Sequence, residues 1–234
     1  MMTVPTAARK RVKRSLPKVK NNRFEKKIVP FGLSPFTVTT GDIRLYNLLY
    51  FVNQGTGNNE RIGNLLQKAH VHYRIQASAI CQDTFSVEVC ETAHVRLIIF
   101  AADKEWNSGG VGTMALNTGG SGVIIANSEI FYDTGNDRLA TTFLNLQDIQ
   151  VLHEKVINID RTEQGTGTTT LVGRGRIMKG TVRLGDLRYN GGNTTYLKGR
   201  NIYAAIVAVG STDNTSLFNI ARVRTNFLVT FTDN

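Results

Sequence analysis

Proline is absent from the last 199 residues of this 234-residue chain; Pro5, Pro17, Pro30 and Pro35 are all four of them. Central strands exclude proline because it cannot donate to a ladder, so a long proline-free body points to sheet. Cysteine is scarce too. Cys81 and Cys90 are the whole complement, too few for a disulfide scaffold. They could face each other across a short hairpin, but they read as buried free thiols of a reducing compartment. No apolar run approaches the roughly 20 residues that a membrane span needs, so no membrane partner is expected. No apolar h-region precedes Ile28, which argues against a secretory signal. A mitochondrial transit peptide shares the Arg-rich, acid-poor character of the start, yet no amphipathic stripe is visible there and Pro17 interrupts it.

Acid is also missing from the start. Residues 1–30 carry ten cations (Arg9, Lys10, Arg11, Lys13, Arg14, Lys18, Lys20, Arg23, Lys26 and Lys27) against Glu25 alone, a net +9. The other 204 residues hold 18 basic and 17 acidic groups, a net +1. The chain is a neutral body with a cationic arm. A segment poor in apolar residues and rich in like charge cannot offset its ordering entropy by burial. Residues 1–30 therefore read as a disordered arm, and 31–234 as one domain large enough for a substantial core. Such an arm suits phosphates, which it would contact without reading sequence. Phe24 is its one aromatic near the cations, so stacking on bases is not expected of the arm.

Gln54 to Gly63, QGTGNNERIG, raises a phosphate question. The dinucleotide fingerprint would need a third glycine where Glu60 stands, and a carboxylate repels pyrophosphate. The P-loop needs Lys and a hydroxyl after Gly63, where the chain reads Asn64-Leu65. The segment reads instead as a polar corner whose glycines allow φ > 0 turns.

The body alternates. In Lys68–Ile80, KAHVHYRIQASAI, the set Ala69, Val71, Tyr73, Ile75, Ala77 and Ala79 points one way. Lys68, His70, His72, Arg74, Gln76 and Ser78 point the other. That is period two, a half-buried strand with a wet face. The corner then joins strands Ile43–Val52 and Leu66–Ile80. Ala93–Ala101, Ile149–Ile159, Ile177–Leu184, Ile202–Val209 and Arg222–Thr232 read as further strands, rich in β-branched and aromatic residues. A long insertion from about Asp103 to Asp148 is unusual for a plain loop. A short helix or two is expected in it, around Ile124–Phe131 or Leu139–Asp148. Seven or eight strands without βαβ alternation make the expected fold all-β, a single eight-stranded antiparallel jelly-roll sandwich.

The order of parts carries a resemblance. A Lys/Arg tail leads to a first strand and a Q-G-x-G…R-I-G corner. A long alternating strand follows, then V-R-L-I-I-F-A-A-D-K with a Trp and glycines behind it, a long insertion, and a final strand near the end. This order resembles the capsid proteins of small circular Rep-encoding single-stranded DNA viruses, the relatives of circoviruses. The body is similar to satellite tobacco necrosis virus coat protein. The tail is shorter than circovirus arms and mixes Lys with Arg, which leaves DNA against RNA open. The resemblance implies a self-assembling icosahedral shell, a T=1 homo-oligomer of sixty copies, with the tail in the lumen on packaged single-stranded DNA; the alternative is the coat protein of a small or satellite RNA virus. It implies a virion protein that passes through the host nucleus, with KRVKR at 10–14 read by nuclear import factors. No enzyme activity and no cofactor are expected.

In such a fold the first, last and third strands share a sheet. Taking these as Ile43–Val52, Arg222–Thr232 and Ala93–Ala101 sends Arg96, Arg222, Arg224 and Arg44 to one polar face. Like charges on neighbouring strands are unfavourable unless an anion lies nearby, so this face is expected to supplement the arm; a solvated or subunit-contacting face is the alternative.

Three rivals stand beside this reading. Asp133-Thr134-Gly135 matches the aspartic protease signature, and Leu171-Val172-Gly173-Arg174 resembles the element that supports the active strand in retroviral proteases. Against that, DTGND is also an ordinary polar turn. His70 and His72 share a strand face and could chelate a metal only with His94, His153 or a carboxylate. Finally, a basic arm on a β body fits a non-viral nucleic-acid-binding module, although such bodies are usually small and themselves basic.

Overall fold

The structure is a computed structural model and describes residues 26–39, 43–57, 60–84, 87–89, 93–103, 123–125, 130–132, 142–159, 171–172, 175–191, 197–210 and 219–233. These form eleven strands: β1 (Lys26–Thr39), β2 (Ile43–Asn47), β3 (Leu65–Thr84), β4 (Val87–Val89), β5 (Ala93–Ala102), β6 (Val123–Ile125), β7 (Ile149–Ile159), β8 (Leu171–Val172), β9 (Arg176–Arg188), β10 (Asn201–Gly210) and β11 (Asn219–Thr232). Among the described residues there is no helix, so none long and apolar enough to cross a membrane.

All strand ladders are antiparallel. One sheet runs β1-β11-β3-β9, with β8 and β4 paired to the far end of β3. The other runs β6-β2-β10-β5-β7. Alternation decides what lies between the sheets. Val71, Tyr73 and Ile75 of β3 and Val223, Phe227 and Val229 of β11 meet Leu97 and Ile99 of β5 and Ala204 and Ile206 of β10. Phe31 stacks on Phe227 at 5.3 Å, and Tyr46 tilts against it at 6.4 Å. Each such side chain contributes about 1.5–3 kcal/mol on burial.

In the second sheet, β5 and β10 are buried on both faces. Ile98 and Phe100 of β5 and Tyr203, Ala205 and Val207 of β10 lie under Ile130, Phe131 and Leu144. That is why β5 and β10 read as nearly continuous apolar runs while β3 and β11 alternate.

Three expectations need correction. First, Lys26–Pro30, assigned above to the arm, opens β1. This strand lies at the edge of its sheet, where proline costs no ladder bond. The register slips between Leu33 and Phe36, beside Pro35. Second, the described parts of the two segments expected to hold helices are not helical. Val123–Ile125 is a strand, and Phe131 bridges Leu144, with Tyr132 N donating to Phe143 O and Asn145 N to Ile130 O. Two extended segments pair with each other because Ile130, Phe131 and Leu144 must lie flat over the second sheet. The remainder of both expected helices lies outside the described residues. Third, β11 pairs with β1 and β3, not with β2 and β5. The strand missed at the sequence level, β1, shares its sheet with β11 and β3. Cys90 and the Cys81 side chain lie outside the described residues.

Candidate nucleic-acid interface

The outward face of the β1-β11-β3-β9 sheet follows from register. Cross-strand rows read Arg222↔Ser78, Arg224↔Gln76↔Ile177, Asn226↔Arg74↔Lys179, Leu228↔His72↔Thr181 and Thr230↔His70↔Arg183. Lys26 enters from β1 opposite Thr232. Lys26, Arg74, Lys179, Arg183, Arg222 and Arg224 are all exposed. The strands β1 and β11 contain no acid; Asp83 is the only one in β3 and Asp186 the only one in β9. Asp186 accepts from Lys68 N at 2.9 Å. Among the described residues no salt bridge reaches these six cations. Arg74 and Lys179 stand directly opposite each other, an unfavourable pair unless an anion lies over both. A recess of about 250 Å³ opens between Pro35, Gln76, Ser78, Arg222 and Arg224.

Two histidines sit within this field. The His72 imidazole bonds Thr181 Oγ1 at 2.8 Å and Thr230 Oγ1 at 3.4 Å, and so spans three strands. Burial, then His70 and Lys26, hold its pKa below the ordinary histidine value. His70 donates from Nδ1 to Lys68 O and stacks on His72 at 6.5 Å.

The structure sorts the candidate residues. Arg9, Lys10, Arg11, Lys13, Arg14, Lys18, Lys20 and Arg23 lie outside the described residues. Arg222, Arg224 and Lys26 share the outward face. Lys27 does not, and this corrects its assignment to nucleic acid. It is the next residue on a strand and points inward, only 2% exposed. Its Nζ donates to Glu60 O at 2.6 Å and Gly57 O at 3.2 Å, and lies 3.6 Å from Asp233. Arg96 is corrected too. It belongs to the other sheet and is buried under Phe131, with Nε on Glu154 at 2.9 Å and Nη1 on Thr142 O. Arg44 shares a row with Ile206 and Leu97 of the inter-sheet core. Arg74, Lys179 and Arg183 were not singled out. Arg74 stood in the alternation of β3, and Lys179 and Arg183 are spaced for one face, but only register joins them to β11.

The Gln54–Gly63 corner does cradle an anion, its own. Glu60 Oε2 accepts from Gly57 N at 2.8 Å. A Cβ on Gly55 would collide with that carboxylate. The described glycines of this corner do not have positive φ, which corrects the expected reason for them: Gly55 and Gly57 supply space for Glu60.

The histidines that might have completed a metal site are elsewhere. His94 bonds Asn158 in the second sheet, and His153 Nε2 meets the Tyr73 hydroxyl at 2.7 Å. Among the described residues no three metal-ligating side chains come together. Asp133-Thr134-Gly135 and Arg174 lie outside the described residues; Leu171–Val172 is β8, paired to β3. No family model matches the chain, and no curated protein sequence matches it.

Proposed function

We propose that this chain is a structural shell protein, a viral capsid subunit, whose jelly-roll body assembles into a closed particle around single-stranded nucleic acid. The observation that carries the reading is the exposed face of Lys26, Arg74, Lys179, Arg183, Arg222 and Arg224, on strands nearly free of acid. A cationic surface of this kind attracts a polyanion by releasing its counterions. The +9 of residues 1–30 joins that sheet at β1, so arm and face belong to one electrostatic system.

The sheet order supports the jelly roll. Omitting the short β4, β6 and β8, the eight long strands pair first with last (β1·β11), second with seventh (β2·β10), third with sixth (β3·β9) and fourth with fifth (β5·β7). Rolling up one long hairpin produces this pairing, and jelly rolls recur in viral shells. Assembly is supported by exposed apolar side chains beside the second sheet: Phe143 is 84% exposed, Leu146 65% and Tyr132 59%. Exposed clusters of this kind mark contact surfaces.

Electron microscopy of the purified protein tests the reading, with DNase and RNase digestion of whatever copurifies. Regular particles holding protected single-stranded nucleic acid are expected, and the nuclease that digests the released cargo tells DNA from RNA. The double variant Arg222→Glu/Arg224→Glu should still form particles but carry less cargo. Unchanged cargo would remove the face from the interface, and a soluble monomer with no cargo would overturn the proposal.

A further inference from the structure

Within the cationic face lies a recess of a different character. It holds about 400 Å³ between Pro30, Gly32, His72, Arg74, Asn226 and Leu228, inside the rough 300–1,000 Å³ range of small-ligand sites. Its lining is mostly apolar. Pro30 and Leu228 are directly opposite in the β1–β11 ladder, and His72 faces Leu228 in the next. The imidazole is fixed at both nitrogens by Thr181 and Thr230 and backed by His70. Burial and the neighbouring His70 and Lys26 hold the pKa of that ring below the ordinary histidine value. Gly32 leaves room for the Asn226 side chain: a Cβ there would stand 2.6 Å from Asn226 Oδ1. Asn226, which can donate and accept, therefore sits at the rim, with Arg74 beside it in the ladder.

We propose that this recess is a nucleobase subsite: one unpaired base lies over Pro30, Leu228 and the His72 ring, its edge meets Asn226, and its flanking phosphates meet Arg74 and Lys179. This rests on the reading of the face as a nucleic-acid surface. It adds that the body holds bases as well as phosphates, so it distinguishes single strands from duplex. Every base has a stackable face, so the preference is for any exposed base over none.

The test compares two DNA oligomers of equal length and phosphate number, oligo(dT) and an abasic tetrahydrofuran analogue, on the full chain at one salt concentration. Arm and cations meet both alike, so their ratio isolates the base. Oligo(dT) is expected to bind at least fivefold tighter. The variants His72→Ala and Leu228→Ser should each shrink that ratio. Equal binding of both oligomers by the wild-type chain would overturn the subsite and leave the phosphate-binding face standing. A preference that both variants retain would also overturn it, by placing the stacking elsewhere. Binding of neither oligomer would overturn the proposed function itself. The wild-type comparison needs no variant to fold.

Discussion

Lys26 and Lys27 are adjacent, and the strand sends them to opposite fates. Lys26 faces solvent in the cationic field. Lys27 ties β1 to the Gln54–Gly63 corner and to Asp233, just beyond β11. Asp233 also accepts from Ile62 N at 2.7 Å. Both ends of the described chain thus close on one corner. Removing one member of a buried pair leaves the other charge without compensation, at a cost of about 3–5 kcal/mol. Lys27→Met should destabilise by that order in urea unfolding, with binding to single strands unchanged once folded. Asp233→Asn keeps an acceptor for Ile62 N and should cost less. Because the two share one site, the double variant should cost less than the sum of the singles. Additive losses would mean that the pair is not coupled. Sequence alone gave Lys27 to the arm because charge density is visible in a sequence and side-chain direction is not.

Elements were legible where one face is wet and one dry. β3 and β11 announced themselves by period two, and Arg222 and Arg224 were placed outward from that alone. β1 was hidden, because its two prolines and two lysines look like arm, and only its edge position tolerates them. Missing it displaced every later strand by one place in the sheet order, and Arg96 was assigned to the wrong sheet as a result. β5 and β10 hid their orientation, since both faces are covered. The register that sets Arg74 against Lys179 is a property of two strands about a hundred residues apart, and no local pattern contains it. The two sheets also meet through a polar bond. Burial raises the Tyr73 phenol above its ordinary pKa, and its hydroxyl shares a hydrogen bond with His153 Nε2. Burial, then Lys155, lower the His153 pKa, with Glu154 opposing them. A lowered imidazole pKa means that the unfolded chain binds the proton more readily. The stability gained by a neutral His153 is therefore present above the unfolded value of about 6.5 and is lost as pH falls through the lower folded value. His72 adds in the same direction. The urea midpoint should fall as pH is lowered from 7 towards 5, and His153→Gln should flatten that decline. A midpoint independent of pH, or a variant as steep as the wild type, would contradict the assignment.

At the scale of the whole molecule, the proposed function gives cargo and assembly separate addresses. The cationic face belongs to the β1-β11-β3-β9 sheet. The exposed apolar residues Phe143, Leu146 and Tyr132 gather beside Arg96, Glu154 and Val151 on the covered side of the other sheet. The inter-sheet core separates the two surfaces. One can therefore be damaged without touching the other. Phe143 is so exposed that replacing it should cost the subunit little stability. In a contact between copies, however, Phe143→Asp would bury an unpaired carboxylate, a penalty of several kcal/mol repeated at each interface. The expected result is a folded subunit that binds single strands with the wild-type salt dependence and no longer forms particles. Deleting residues 1–25 should do the reverse. Eight of the ten cations in residues 1–30 go with that segment, and each lost phosphate contact flattens the salt dependence by about 0.7 in logarithmic slope. Sedimentation velocity and salt titration of both variants check this together. If Phe143→Asp still assembles, the apolar cluster is not the contact. If the deletion leaves the salt slope unchanged, the arm carries none of the binding and the face alone must account for it.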